Sequence, residues 1–320
     1  MIPSGAAAIG LDREQSRRAN YATEVISHKP GNRYTIRYRL GLRDTAGGVR
    51  EFAVIGKFYT EASVAAAVYL RLRALQERLA DSPGQVVIPA PLSLLPDLGI
   101  VLQECCAGAD LGHSLRMGGD DRPLSLAGQW LAAFHKAAPV PELEVKSIEH
   151  ELRKMDGWMR EIAHRLPDGG GSRLSRLHDT LHRLAEAFPD SAPAMIHRDF
   201  YHQNLIWDGE ILGVLDFDQL AVGDPAMDVG HFLAHLVGLA YRKTGQADAF
   251  AAGAQSFIRS YFALNATEFG VRLPFFTAYT FVKLGYQTAV RKPSGWRDLA
   301  ELFIHLAGAE GEHAWRGIRP

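Results

Sequence analysis

Residues 197–204 read HRDFYHQN, and residues 215–218 read LDFD. Between them lie two apolar runs, NLIWD and ILGVLD, bracketing the turn pair Gly209–Glu210. Short apolar runs punctuated by such a turn predict two paired strands. On that reading Asp199 lies on the loop before the first strand, Asn204 at its start and Asp216 at the end of the second. A hairpin of this length is expected to bring Asn204 and Asp216 together, an amide and a carboxylate offering oxygen ligands to one hard cation. Taken alone, D-x4-N is a weak signal, because asparagines and aspartates in loops usually make turns. The full string with both strands in place points to chemistry instead.

The chemistry that uses such groups is phosphoryl transfer. One carboxylate orients an acceptor hydroxyl, metal ions neutralise a triphosphate, and a cation holds the phosphates. Asp199, Asn204 and Asp216 supply the first two requirements. Lys57 lies within FAVIGKFY, an apolar strand where a lone lysine needs a reason. It either snorkels from an edge strand or meets phosphates.

Composition frames this reading. The chain has 320 residues, 47% hydrophobic and 22% charged, ordinary for a globular protein. Lys+Arg 35 against Asp+Glu 36 gives no global field for nucleic acid or an anionic membrane. Two adjacent cysteines, Cys105 and Cys106, make a poor start for a structural disulfide. The opening MIPSGAAAIGLDREQ lacks a basic stretch followed by an apolar core, and FLAHLVGLAY is too short for a membrane span. A cytoplasmic protein is expected.

Outward from the motif, the pattern changes near Gly108. The first twenty residues read as a loose arm or short helix. EVISHK, NRYTIRYRL and VREFAVIGKFY then predict three antiparallel strands, and Thr60 is placed to cap a helix running to about Ala80. Ala65, Val68, Leu72, Leu75 and Leu79 form its apolar stripe. VVIPA and LGIVLQE read as two further strands. Beyond Gly108 helical periodicity dominates, including two helices around 147–186 and others at about 225–242, 247–264, 274–291 and 296–309. The expectation is an α+β chain with a small antiparallel-sheet N-terminal lobe at 1–104 and a large, mainly helical C-terminal lobe at 105–320. Ligands favour the join of two lobes.

HRDFYHQNLIW, followed by LDFDQLAVGDPAMD, resembles the catalytic segment of the aminoglycoside phosphotransferase and choline kinase superfamily, relatives of the protein kinases. The resemblance implies a protein-kinase-like bilobal fold that uses ATP and Mg2+. It implies Asp199 as catalytic base and Asn204 and Asp216 as metal ligands. It supports Lys57 as the phosphate-pairing lysine, and aligns VLQECC with a hinge meeting adenine through the Glu104 carbonyl and the Cys106 amide. Asp228 matches an aspartate that supports the catalytic loop, and His197, with His202, is expected to buttress that loop. Kinases also place a helix glutamate beside the lysine. Glu61 shares the buried side of its helix and Glu77 faces water, so Glu61 is preferred.

Some features keep bland readings. Asp224 before Pro225 is a helix cap. His231 and His235 have zinc-pair spacing but no evident third ligand, and read as core histidines. GGG at 169–171 is a loop. The segment 27–35 holds one glycine, so which of Ser27, His28 or Lys29 touches phosphate stays open. Glu149, Glu151, Asp156 and Glu161 alternate with Lys154 and Arg160 and read as a solvated face.

Only twelve positions separate Asp216 from Asp228, leaving no activation segment and no platform for a peptide. Arg198 then has no phosphoresidue to bind and is expected to pair with a local carboxylate. The acceptor expected is the hydroxyl of a small molecule: an aminoglycoside, choline, a sugar or an amino-alcohol. A nucleotide-binding regulator without turnover is the alternative. Oligomeric state is not legible.

Overall fold

The computed structural model describes residues 20–29, 33–43, 49–79, 84–166, 171–188, 192–265 and 269–318. The arm before residue 20, the tip of the 27–35 loop at 30–32, the turn at 44–48 and Gly169 and Gly170 lie outside them. In chain order the elements are β1 (Asn20–Lys29), β2 (Arg33–Arg43), β3 (Val49–Tyr59), α1 (Ala62–Arg78), β4 (Val86–Val87), β5 (Pro91–Leu95) and β6 (Ile100–Glu104). There follow β7 (Ala109–Asp110), the single turn α2 (Leu111–Ser114), α3 (Arg122–Lys136), α4 (Ile148–Arg165), α5 (Gly171–Glu186), β8 (Ala194–Ile196), β9 (Leu205–Trp207), β10 (Leu212–Val214) and β11 (Ala221–Gly223). The chain continues through α6 (Ala226–Thr244), α7 (Ala251–Leu264), α8 (Arg272–Arg291) and α9 (Trp296–Ile318).

Tertiary contacts divide the chain into two compact units. The first holds residues up to Gly108 together with Asp208–Asp218, and the second holds Ala109–Trp207 and everything from Gln219 onward. The segment carrying Asp216 therefore groups with the N-terminal sheet, although chain order places it a hundred residues later. The first unit holds a five-stranded sheet of order β1-β2-β3-β6-β5, whose described pairings are all antiparallel. Helix α1 buries Ala65, Val68, Leu72 and Leu75, the stripe its spacing predicts. It starts one residue later than Thr60 suggests: Glu61 is the N-cap residue and its side chain makes no cap bond. The short β10 runs parallel to β4, with Leu212 opposite Val86.

The second unit is organised around aromatic side chains. Trp130 and Phe134 of α3 stack at 5.0 Å, Trp130 meets Phe200 at 5.8 Å, and Phe232 of α6 meets Phe257 of α7 at 4.2 Å. All five are at most 1% exposed. Burying each such side chain contributes about 1.5–3 kcal/mol. Phe200 directly follows Asp199, so the quoted motif is pinned to this core by its own fourth residue. No helix among the described residues is long and apolar enough to cross a membrane.

Helices α3 and α7 cross where Gly128 faces backbone. A Cβ there would lie 2.3 Å from the Phe257 carbonyl oxygen and 3.1 Å from the Tyr261 nitrogen. Neither atom can rotate away, so Gly128→Val is expected to destabilise by about 1–3 kcal/mol or more through overpacking. Urea denaturation measures this. An unchanged midpoint would mean that the helices do not approach so closely.

Candidate active site

The first unit builds a charged cluster from strand register. Arg33 opens β2 opposite Tyr59 of β3, and Lys57 lies two residues before Tyr59. Side chains repeat every two residues along a strand and pair across it, so Arg33, Lys57 and Tyr59 share one face. All three are buried. Lys57 Nζ lies 3.0 Å from Asp216 Oδ1 and 2.9 Å from Asp218 Oδ1. Arg33 donates to both oxygens of Asp216 at 2.8 and 2.9 Å, and also to Asp218. The Tyr59 hydroxyl donates to Asp218 Oδ2 at 3.0 Å.

Two buried cations thus meet two carboxylates that are 14–15% exposed. Burial opposes ionisation of Asp216, but Lys57 and Arg33 overcome it and hold its carboxyl well below the usual range. Burial likewise works against Lys57, and Asp218 and Asp216 raise its pKa above that of a free lysine. Asp216 adopts φ +67°, a left-handed conformation that costs a non-glycine residue roughly 1–3 kcal/mol. The bidentate guanidinium helps to hold it there.

The glutamate expected beside Lys57 is replaced. Glu61 and Glu77 are both exposed, and the described ion pairs of Lys57 run to the two aspartates. Glu61 sits at the edge of the helix, before its first full turn, while the lysine's charge is already met. Arg33, Asp218 and Tyr59 escaped the sequence reading. Strand register, which pairs residue 33 with residue 59, was the available signal.

A cavity of about 660 Å³ opens in the same unit. Leu40, Phe52, Val54, Ile88 and Leu92 make it apolar, and Glu104, Cys105 and Cys106 form one wall. The Glu104 amide donates to the Ala90 carbonyl at 2.9 Å, and its carboxylate accepts from the Ala90 amide at 3.1 Å. Burial, with Cys105 and Glu104 nearby, pushes the Cys106 thiol up to about 12. It is a protonated, unreactive wall residue near neutral pH. Both cysteines are free.

The second unit holds Asp199. Its loop depends on Asp228 in the first turn of α6, a fully buried carboxylate. Asp228 accepts from the backbone amides of His197 at 2.6 Å and Arg198 at 2.7 Å, and pairs with His135 Nε2 at 3.1 Å. Burial opposes its charge, yet His135 and His197 keep its pKa below the usual value. Arg198 has φ +66°, so the turn just before Asp199 is strained and clamped from below. The Asp199 amide donates to His197 Nδ1 at 3.4 Å, a buttressing contact. Asn204 Nδ2 donates to the Asp199 carbonyl at 2.8 Å and lies 3.4 Å from Asp199 Oδ2. Asp199 itself remains 26% exposed.

Arg198 finds its local carboxylate in Glu151. Glu151 thereby departs from the solvated face expected of it, being 2% exposed and accepting also from the Tyr279 hydroxyl at 2.5 Å, whereas Glu149, Lys154, Arg160 and Glu161 are exposed as expected. Glu151, Met155, Met159 and Ile162 form the buried stripe of α4, a helical repeat whose first member happens to be charged. Asp224 lies one residue before Pro225, the N-cap of α6, so the helix starts one position later than expected; its carboxylate accepts from the Ala226 amide at 2.9 Å and also binds Arg272 at 3.2 Å.

His231 and His235 are buried, in keeping with core histidines. His231 nevertheless also faces the loop, with Nε2 3.8 Å from Asp199 Oδ1. Its position three residues after Asp228, on the same side of the helix, was the missed signal. Lys283 of α8 bears on Asp199 as well; burial lowers its pKa and the Asp199 charge partly restores it.

His202, His231 and His235 cluster around Tyr201, with ring separations such as 4.5 Å between Tyr201 and His235 and 4.4 Å between His231 and His235. Burial, then nearby Arg242, brings His202 down to about 4. Burial, then Lys283, holds His231 and His235 well below the ordinary value. An unfolded histidine titrates near 6.5. Below that pH the unfolded chain binds protons that the folded cluster refuses, so stability is full above about pH 6.5 and falls toward the folded values. The expected slope is at most about 1.4 kcal/mol per pH unit for each histidine. His235→Leu is expected to flatten the dependence of the urea midpoint between pH 7 and 5; an identical slope would remove this histidine from the titration.

A family profile described as the phosphotransferase enzyme family matches residues 40–264. Viomycin phosphotransferase of Streptomyces vinaceus is 32% identical over 125 residues, a match covering 36% of this chain and 42% of that protein, so less than half of that relative is spanned. Among solved structures, a choline/ethanolamine kinase family protein of Mesorhizobium loti superposes with a TM-score of 0.58 at 14% identity, over 96% of this chain and 93% of that one. A thermostable mutant of the aminoglycoside phosphotransferase APH(4)-Ia, in ternary complex with AMP-PNP and hygromycin B, gives 0.57 at 15% identity over 91% and 93%. These structural likenesses carry the fold, which is the kinase-like fold of both groups. With the profile spanning most of its length and including both HRDFYHQN and LDFD, the chain belongs to the phosphotransferase enzyme family.

Proposed function

We propose that the protein is an ATP- and Mg2+-dependent kinase that phosphorylates a hydroxyl group of a small molecule. The observation that carries this reading is Asp199, a partly exposed carboxylate on a strained turn whose preceding amides are held by the buried Asp228. Strain retained at such a point is what a positioned catalytic group requires.

Asp199 accepts the proton of the acceptor hydroxyl as its oxygen bonds to the γ-phosphorus of ATP. The bond from that phosphorus to the β,γ-bridging oxygen breaks, and ADP leaves with the electron pair. Lys57 and Arg33, both buried cations on β-strands, hold the phosphates. The apolar cavity beside residues 104–106 takes the adenine, with the Glu104 carbonyl and the Cys106 amide as its polar contacts. The donor chemistry fits Mg2+: Asp216 is kept ionised and Asn204 offers an amide oxygen, both hard ligands. Magnesium, when bound, neutralises charge on the triphosphate. The relatives support the reading, one bound to AMP-PNP and hygromycin B and another named for phosphorylating viomycin.

The rival, a nucleotide-binding regulator without turnover, draws on one contact. Arg33 occupies both oxygens of Asp216, the expected metal carboxylate. Under the kinase reading this pair opens when nucleotide arrives and Arg33 transfers to phosphate.

ADP release from Mg-ATP, measured across viomycin, hygromycin B, other aminoglycosides, choline and ethanolamine, separates the two. The kinase reading expects acceptor-dependent release that falls roughly 10²–10⁴-fold in Asp199→Asn, with little change in Mg-ATP affinity. Equal turnover in that variant would remove Asp199 from the mechanism. ATP binding without release for any acceptor would favour the regulator. Lys57→Ala is expected to raise the KM for ATP; an unchanged KM would mean that the lysine only balances the two aspartates.

A further inference from the structure

We propose that Asp156, His178 and His182 form a binding site for a zinc-type transition-metal ion that clamps α4 to α5. His178 and His182 are one helical turn apart on α5 and project from one face. Their rings lie 4.2 Å apart. Asp156 reaches them from α4: its Oδ1 is 2.8 Å from His182 Nε2 and 3.2 Å from His178 Nε2. The three candidate ligand atoms all fall within 4.8 Å of one another. Zinc bonds of about 2.0–2.1 Å in tetrahedral geometry separate ligand atoms by about 3.3 Å, so small shifts would admit the ion.

Proton bookkeeping on His178 points the same way. Its Nε2 faces Asp156, while its Nδ1 lies 3.4 Å from Asp179 Oδ1. Ionised carboxylates only accept hydrogen bonds, and a neutral imidazole carries one N–H. When Nδ1 donates to Asp179, the Nε2 lone pair is left against the oxygen of Asp156. A metal ion at Nε2 removes that repulsion, and Asp179 becomes the outer carboxylate that orients a metal-bound histidine. The three side chains are 32%, 40% and 31% exposed, leaving a coordination position open to water.

Two imidazoles and one carboxylate suit Zn2+ and its neighbours, whereas Mg2+ prefers oxygen ligands alone. The site is therefore chemically separate from the one proposed around Asp216. Its consequence runs along α4. Asp156 directly follows the fully buried Met155 on the helix whose Glu151, just over one turn earlier, holds Arg198 beside Asp199. A metal joining α4 to α5 fixes the helix on which that contact depends.

Zinc binding to the untagged, metal-stripped full chain tests this by competition with a chromophoric chelator, alongside thermal unfolding. One Zn2+ per chain is expected, with an unfolding midpoint raised by a few degrees that Mg2+ does not reproduce. His178→Gln/His182→Gln and, separately, Asp156→Ala are expected to abolish or strongly weaken both effects. Visible absorption of bound Co2+, lost in the double variant, provides a spectroscopic readout that does not depend on stability. Failure of the wild-type chain to bind Zn2+, or equal binding in both variants, would overturn the proposal.

Discussion

A single buried carboxylate carries the second unit's functional loop. Asp228 lies out of water in the first turn of α6, where the exposed ends of backbone N–H groups favour negative charge. It receives two further amides from the loop and a histidine from α3. Leaving a charge in such a place without partners costs several kcal/mol. The partners are therefore obligatory, and the loop's conformation comes with them. Arg198 can remain at positive φ because its amide and its guanidinium are both engaged, the one by Asp228 and the other by Glu151. Phe200 anchors the other side in the aromatic core. Asp199 lies between these fixed points.

The first unit reaches a similar result with a different device. Asp216 also has positive φ, and it too is held by groups arriving from distant chain positions, Arg33 and Lys57. The four charges compensate one another, so the cluster is neutral as a whole. Such a cluster is weak as a source of stability, since apolar side chains of equal size could pack as well. Its value is that it keeps Lys57, Arg33 and Asp216 ionised and holds all four side chains oriented before any ligand arrives.

Buried charge recurs on α4, where Glu151 heads an otherwise apolar stripe. A glutamate in that position requires donors, and Arg198, Tyr279 and, at 3.6 Å, Lys154 supply them. The helix is therefore tied to the loop by charge and to its neighbours by packing, with the histidine–aspartate contacts to α5 lying one turn further along.

The motif around Asp199, its strands and the helical stripes were legible in the sequence because local periodicity and spacing encode them. Asp224 at the start of α6 was legible for the same reason, whereas Asp228, about thirty residues from the loop it holds, was indicated only by the family resemblance. Glu61 as partner to Lys57 and Glu151 as part of a solvated face were misread, and the roles of Arg33, Asp218 and His231 were not seen. Each of these depends on which side chains converge from remote segments. Residue type and spacing say that a carboxylate is present, whereas whether it is buried, and which cation reaches it first, is decided by packing. Motif and spacing, with the family they resemble, therefore indicated the kind of chemistry this chain is built for, and tertiary structure alone decided how its charges are paired, because desolvation makes each pairing depend on every neighbour at once.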